Sequence, residues 1–223
     1  MLTKFLLHTS PEGEYYTAPN IPLPHRFTTK TGKPADPPVL ARQIHSADVL
    51  EITAPGDYTG DSFLTTTPNL PIAVKTADCT PILLCDAQAG IICAVHAGWR
   101  GTAAGIAPIA LQQMLARGAV LERIQAAIGP AICFDCYQVG EDFRQAVTDR
   151  LGEEIAALTI RPHADGSLHA DVSAMNALLL RQAGLPDEHI AESGICTCHN
   201  PQFYSYRGDR AYLGNQWAII SLP

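Results

Sequence analysis

Residues 71–102 read PIAVKTADCTPILLCDAQAGIICAVHAGWRGT. Three apolar runs follow one another here: PIAVKT (71–76), PILLCD (81–86) and GIICAVH (90–96). Each is short and mostly aliphatic or β-branched. Runs this short and this continuous fit buried central strands better than amphipathic helices. Gly98 and Gly101 punctuate the turn after the third run. Thr102 is then placed to cap a helix running to about Arg117, with Ile106, Ala110, Met114 and Leu115 on its apolar face. Pro108 inside that span implies a kink or a later start.

On the N-terminal side, VLARQIHSADVLEI (39–52) reads as extended, with Val49 and Leu50 in a strand. Residues 1–40 carry Pro19, Pro22, Pro24, Pro34, Pro37 and Pro38, which predicts short extended pieces and loops. On the C-terminal side the pattern alternates. It predicts a strand over 124–128, a helix around 140–150, a strand near 155–160, a helix over 171–183, a strand over 189–195 and a last strand in QWAIISL (216–222). Strands and helices mixed in this way, without a Gly-x-Gly-x-x-Gly turn, indicate an α/β or α+β architecture that lacks the dinucleotide fingerprint. With no repeat or linker in view, one domain spanning 1–223 is expected.

The chain has 223 residues, 47% of them apolar and 17% charged, and a formal net charge of −7. That is ample for a hydrophobic core and excludes wholesale disorder. No Lys/Arg run marks a polymeric nucleic acid as partner. No apolar stretch approaches the roughly 18 residues of a membrane helix, and the N-terminus lacks a secretory apolar region. A cytoplasmic protein with a small-molecule partner is the expectation. Seven cysteines are an odd number in a chain too long to need disulfide staples. In a reducing compartment they suggest free thiols, metal ligands or a nucleophile.

Three side chains stand at punctuated strand ends: His45 in QIHSADV, Cys79 in TADCTP and His96 in VHAGWRG. If the second and third runs lie side by side, Cys79 and His96 reach one sheet edge. A His/Cys/His set suits Zn²⁺ with its fourth position open, as catalytic zinc requires. Taken singly, each residue has a plainer reading, because a Cys among apolar strands is usually a small buried hydrophobe. A Cys79 nucleophile with His96 as its base is a further option. Asp78 offers a carboxylate to orient a histidine, bind metal or donate a proton, although an Asp in such a loop more often satisfies backbone N–H groups. Arg100 and the helix start at Thr102 suggest an anion cradle. The plain alternative is a surface arginine at an ordinary strand–helix turn.

Two cysteine groups remain, Cys133/Cys136 and Cys196/Cys198/His199. Together they suit a structural zinc site, and CxxC alone a redox pair. The loop position of CxxC after Gly129-Pro130 argues against redox use. Cys85 and Cys93 lie inside apolar runs and are expected in the core.

QIHSADV, TADCTPILLCD, AVHAGWRGTAAGI, IGPAICFDCYQVGEDF and CTCHNPQFYSYRGD occur in this order. In this the chain resembles the YfiH-like proteins over most of residues 25–222. That family has been labelled polyphenol oxidase or laccase-domain, and several members are purine nucleoside phosphorylases with adenosine deaminase activity. The resemblance implies a single-domain α/β (α+β) layered sandwich of mixed β-sheets flanked by helices, of α/β/α type. It implies zinc held by His45, Cys79 and His96, with Gln43, Arg100 and Tyr137 near the substrate, and nucleoside and phosphate as partners. Three departures bear on substrate binding. Lys30 stands where an arginine is usual, Asn215 stands where a basic residue is common, and the stretch from Gly32 to Val39 is short. Zinc deaminases also use an H-x-E motif, which this chain lacks, so Asp78 is the expected proton donor. The rival readings are a Cys-dependent amide hydrolase acting on cell-wall precursors, a copper-dependent polyphenol oxidase and a non-enzymatic metal-binding module. Copper is less favoured, since one His/Cys/His set falls short of a multi-copper site. The assembly is expected to be a monomer or homodimer.

Overall fold

The computed structural model describes residues 4–211 and 213–223. The strands β1 (Leu6–Ser10), β2 (Gly13–Thr17) and β3 (His25–Thr28) form an antiparallel meander. After them come β4 (Ala41–Arg42), β5 (Val49–Glu51), β6 (Tyr58–Thr59) and β7 (Ser62–Thr65). The three apolar runs become β8 (Ile72–Thr76), β9 (Thr80–Asp86) and β10 (Ile91–Ala97), as expected for buried strands. The helices α1 (Trp99–Ala103) and α2 (Ile106–Ala116) follow, then β11 (Gln125–Ile128), α3 (Glu141–Leu151) and α4 (Glu153–Thr159). The chain closes with β12 (Ile160–Pro162), β13 (Leu168–Ala170), α5 (Val172–Gln182), β14 (Ile190–Glu192), α6 (Tyr206–Asp209) and β15 (Gln216–Ile220).

Two sheets dominate. One has the order β1-β2-β3-β15-β8 and the other β14-β11-β9-β10-β7-β5. The period-two alternation of a strand explains their stacking. In β9, Leu83 and Cys85 face Ile72 and Val74 of the other sheet, while Ile82 and Leu84 face the helices. In β10, Ile92 and Ala94 join the first cluster, and Ile91, Cys93 and Val95 join the second. Both faces of β9 and β10 are therefore dry, and so these runs lack polar alternation although the pairing is antiparallel. Cys85 and Cys93 are core residues, as expected.

The layers run sheet, sheet, helices. The core between the sheets contains no helical residue, whereas α2 and α5 cover the far face of the six-stranded sheet. The mixed α/β class matches expectation, but the α/β/α order does not: a second sheet takes the place of one helical layer. Its strands β1–β3 come from the Pro-rich N-terminal stretch. Pro19, Pro22 and Pro24 all fall in the β2–β3 connection, where a missing N–H costs no ladder bond. A third cluster joins Phe143 and Val147 of α3 to Ile155 and Ala156 of α4 and to Met175 of α5.

Two local expectations are corrected. Thr102 does not cap a helix. It lies inside α1, fully buried, and its Oγ1 accepts a hydrogen bond from Asn176 Nδ2 at 2.9 Å. The helical span is broken at Gly105, which adopts a left-handed φ of 81° and restarts the chain as α2. Pro108 then falls in the first turn of α2, where its missing N–H is harmless, so the later start is the outcome. The strand expected near 155–160 is mostly α4. Gly152 at φ 89° ends α3, and Glu-Glu-Ile-Ala-Ala-Leu is rich in helix formers. No helix among the described residues is long and apolar enough to cross a membrane.

The far end of the β9–β10 hairpin is held by a buried carboxylate. Asp86 accepts from the N–H groups of Gln88, Ala89 and Val120, and Arg123 grips it through Nε and Nη2. Burial opposes its ionisation, but Arg123 and the backbone donors hold its carboxyl below the usual value. Asp86→Ala strands those donors and is expected to lower unfolding free energy by about 2–4 kcal/mol in urea denaturation. A depressed native pKa stabilises above the unfolded carboxyl value of about 3.9. The advantage of wild type over Asp86→Asn should therefore shrink as pH falls below that value.

Candidate metal centre

The register of β10 with its two neighbours assembles the site. Opposite β9, His96 pairs with Pro81 and Ala97 with Thr80, which leaves Cys79 facing Gly98 just beyond the ladder. Opposite β7, Val95 pairs with Ser62, so His96 meets Asp61. The His96 backbone N–H donates to the Asp61 carbonyl at 2.7 Å, and its ring Nδ1 lies 2.8 Å from Asp61 Oδ1. A carboxylate only accepts, so Nδ1 carries the hydrogen and the Nε2 lone pair is left for a metal.

Asp61 is fully buried and serves a second strand connection. The backbone N–H groups of Ile44, His45 and Ser46 converge on its two oxygens at 3.1, 2.9 and 2.7 Å. Ser46 Oγ adds a fourth bond at 3.0 Å. Three successive N–H groups curled round one anion form a nest, and His45 takes a left-handed φ of 61° to make it. One carboxylate thus sets the His96 ring and the His45 backbone together. Burial opposes its charge, yet His96 and the nest hold its pKa far below the usual carboxylate range.

The donor atoms of His45, Cys79 and His96 all lie within 4.8 Å of one another. Cys79 Sγ is 3.9 Å from His45 Nε2, and the two imidazoles meet edge to face at 4.9 Å. Burial raises the Cys79 pKa, but hydrogen bonds from His45 and His96 more than offset this, and the thiol is lowered to about 6. Burial alone would lower His96, whereas Asp61 and Cys79 raise it to about 9. Gly98 is needed here. A Cβ at that position would lie 2.7 Å from His45 Cδ2 and 3.4 Å from Cys79 Sγ, crowding two of the three donor side chains. Two imidazoles and a thiolate this close together fit one metal ion.

The trio lines a cavity of about 650 Å³. Arg42, Lys75, Arg100 and Arg207 stand on its walls. Arg100 lies over the Trp99 ring at 4.3 Å, and Arg207 over Tyr137 at 5.2 Å. Both terminal nitrogens of Arg207 also donate to the Gln138 carbonyl, which fixes its charge at the rim. Burial pushes the Tyr137 hydroxyl up to about 12, so it keeps its proton.

Arg100 and Tyr137 therefore line the same cavity as the trio. Thr102 does not, being buried against Asn176. Gln43 borders the cavity, but its amide bonds both Lys75 N and Lys75 O at 2.7 Å, tying the His45 loop to β8. Asp78 lies outside the donor trio. It lines the same cavity, and its oxygens accept from Thr197 Oγ1 and the Arg207 N–H, each at 2.7 Å, so it also anchors loops of the wall. Of the departures from the family pattern, Asn215 borders the cavity, whereas Lys30 lies over the Tyr204 ring and does not line it. Sequence reasoning missed Asp61, whose only local signal is its place just before a strand. It also missed Arg207, although that residue lies within the SYRGD stretch.

The chain is 37% identical to "Purine nucleoside phosphorylase" of Deinococcus radiodurans, with 96% of this chain and 95% of that protein covered. It is 41% identical to "Adenosine deaminase RL5" from an unknown prokaryotic organism, over 66% of this chain and 56% of that protein. The fold matches the crystal structure of Bacillus licheniformis hypothetical protein YfiH with a TM-score of 0.86 at 24% identity, covering 97% of this chain and 99% of that one. The family model described as multi-copper polyphenol oxidoreductase laccase matches residues 24–223, and the chain belongs to that family.

Proposed function

We propose that this protein is a zinc-dependent purine nucleoside phosphorylase with adenosine deaminase activity. Its substrates would be adenosine, inosine, guanosine or methylthioadenosine. One observation carries the reading: a three-donor metal trio shares a cavity of about 650 Å³ with four cationic side chains. That volume suits a nucleoside and phosphate together. The names of the relatives point to the same chemistry.

His45, Cys79 and His96 would hold the ion. When bound, zinc supplies a Lewis acid for a phosphate or purine atom and lowers the pKa of water. In phosphorolysis the bond from the purine nitrogen to the anomeric carbon breaks while a phosphate oxygen bonds to that carbon. The purine departs with the electron pair and must gain a proton or hydrogen bond. Arg100 and Arg207, each braced on an aromatic ring, supply fixed positive charge for phosphate. Tyr137 holds its hydroxyl proton and offers a hydrogen bond to the leaving base. Trp99 and Tyr206 offer further aromatic surface for a purine. Adenosine deamination in the same cavity is supported by the relative of that name, with Asp78, which lines that cavity, as the proton donor.

A second reading has one specific support. A thiol lowered to about 6 beside an imidazole raised to about 9 is the ion pair of a cysteine nucleophile, as in an amide hydrolase. Cys79→Ser separates the two. Under the metal reading this variant loses the zinc of the trio together with turnover, whereas a variant that keeps the full wild-type metal content and loses activity favours the nucleophile.

The deciding assay incubates zinc-loaded protein with inosine or adenosine, with and without phosphate, and follows free base by mass analysis. Phosphate-dependent base release is expected, and no turnover of any of these nucleosides would reject the reading. Arg100→Ala should raise the apparent phosphate KM roughly tenfold or more while metal content stays intact, from the loss of a charged hydrogen bond. Asp61→Asn should weaken zinc affinity about 10–100-fold through the His96 ring, measured by competition with a chelator. Zinc must displace the proton that His96 carries below about 9, so affinity should rise with pH up to that value. It should fall further below about 6, where Cys79 is protonated.

A further inference from the structure

A second group of donors lies beside the cavity, on two loops far apart in sequence. Cys133 and Cys136 bracket a single tight turn over Phe134–Cys136, closed by the Cys136 N–H donating to the Cys133 carbonyl at 3.1 Å. Cys196 and His199 bracket another, closed by the Asn200 N–H donating to the Cys196 carbonyl at 3.1 Å. The Ala131 N–H donates to the Ile195 carbonyl at 3.2 Å and the Thr197 N–H to the Ala131 carbonyl at 3.0 Å, which sets the turns side by side.

One donor atom from each of Cys133, Cys136, Cys196 and His199 lies within 4.8 Å of the other three. Cys196 Sγ stands 4.0 Å from Cys136 Sγ, which is no disulfide. His199 Nε2 is 3.0 Å from Cys136 Sγ, and His199 Nδ1 is 3.9 Å from Cys133 Sγ. A tetrahedral zinc with bonds of about 2.3 Å to sulfur and 2.0–2.1 Å to nitrogen separates its ligands by roughly 3.5–3.8 Å. Only one nitrogen of the His199 ring can meet the ion, and with one donor from each residue the four lie within 4.8 Å of one another, so a small contraction around an ion reaches that range. The Cys133 N–H also donates to Cys196 Sγ at 3.4 Å, an interaction that favours a thiolate.

We propose that Cys133, Cys136, Cys196 and His199 form a second, structural metal site for a thiophilic tetrahedral ion such as Zn²⁺. Three sulfurs and one imidazole complete its coordination, so it is closed to substrate and differs in kind from the three-donor trio. Its place in the fold gives it a task. The loop that carries Cys133 and Cys136 continues into Tyr137, and the loop that carries Cys196 and His199 continues into Tyr206 and Arg207. Both reach the cavity wall. The ion would tie these two walls together just beyond the Ala131–Cys196 bridge that extends the β11–β14 pairing. Cys198 lies between two ligands in sequence and its thiol interacts with Cys136, but it falls outside the set of four donors that lie within 4.8 Å of one another, so it is not assigned to the ion. The site stands on its own geometry and does not depend on the reaction proposed above.

Elemental analysis of the full chain, purified in zinc without chelator, tests this. Wild type is expected to hold two equivalents of zinc, Cys136→Ser and Cys196→Ser one each, and Cys198→Ser two. Cobalt titration of Cys79→Ala removes dependence on variants that fail to fold, since it leaves the second cluster untouched. That variant should retain a thiolate-to-cobalt charge-transfer band with tetrahedral ligand-field absorption. Zinc content unchanged from wild type in Cys136→Ser and Cys196→Ser, no thiolate–cobalt band in Cys79→Ala, loss of metal in Cys198→Ser, or a disulfide among these cysteines in freshly purified protein would overturn the proposal.

Discussion

A single buried carboxylate holds the centre together. Asp61 sits just before β7, fully buried, and its charge is compensated by five protein donors. Three are consecutive backbone N–H groups, one is a serine hydroxyl and one is the His96 ring. Each bond to a buried anion is stronger than the same bond in water, and each is costly to lose. The nest compels His45 into a left-handed conformation, and the ring bond selects the His96 tautomer. Two members of the His/Cys/His trio are thus aimed by one side chain that is not itself part of it.

The sandwich supplies the rigidity this needs. β9 and β10 are packed on both faces, so the strand ends that present Cys79 and His96 cannot shift without disturbing two cores. Gly98 leaves room for His45 and Cys79 to approach the chain, and α1 turns it away at once, placing Arg100 on the wall. Opposite them the cavity is built from loops that a sheet alone would not hold. Asp78 binds one of them through Thr197 and the Arg207 N–H, and its own carbonyl accepts from Ile132 N–H. The Cys/His cluster lies on the same two loops, so polar anchors gather where the apolar core ends.

Much of this was legible in the sequence, for local reasons. PILLCD and GIICAVH lack polar interruptions because both faces of their strands are dry, and that continuity marks them as central. His45, Cys79 and His96 stand out because they follow or end such runs beside Gly and small residues. The errors also have local causes. Thr102 has the side chain of a cap and the neighbours of one, yet Asn176 of α5, 74 residues away, holds its hydroxyl inside the core. The short apolar segment near 155–160 fits a strand, but Gly152 and the glutamates after it begin a helix. The N-terminal strands are weakly patterned because one face of their sheet is open, and pairing partners rather than periodicity define them.

The sequence by itself determined which strands are central, that the fold mixes sheets and helices, and which soft donors stand at strand ends. These follow from hydrophobic periodicity and chain punctuation, which act over a few residues. Only the tertiary structure decided that a second sheet covers the first, that Asp61 aims His96 across 35 residues, and that four cations from separate segments share one cavity. Those depend on strand register and on compensating buried charge, and a register cannot be read from either strand alone.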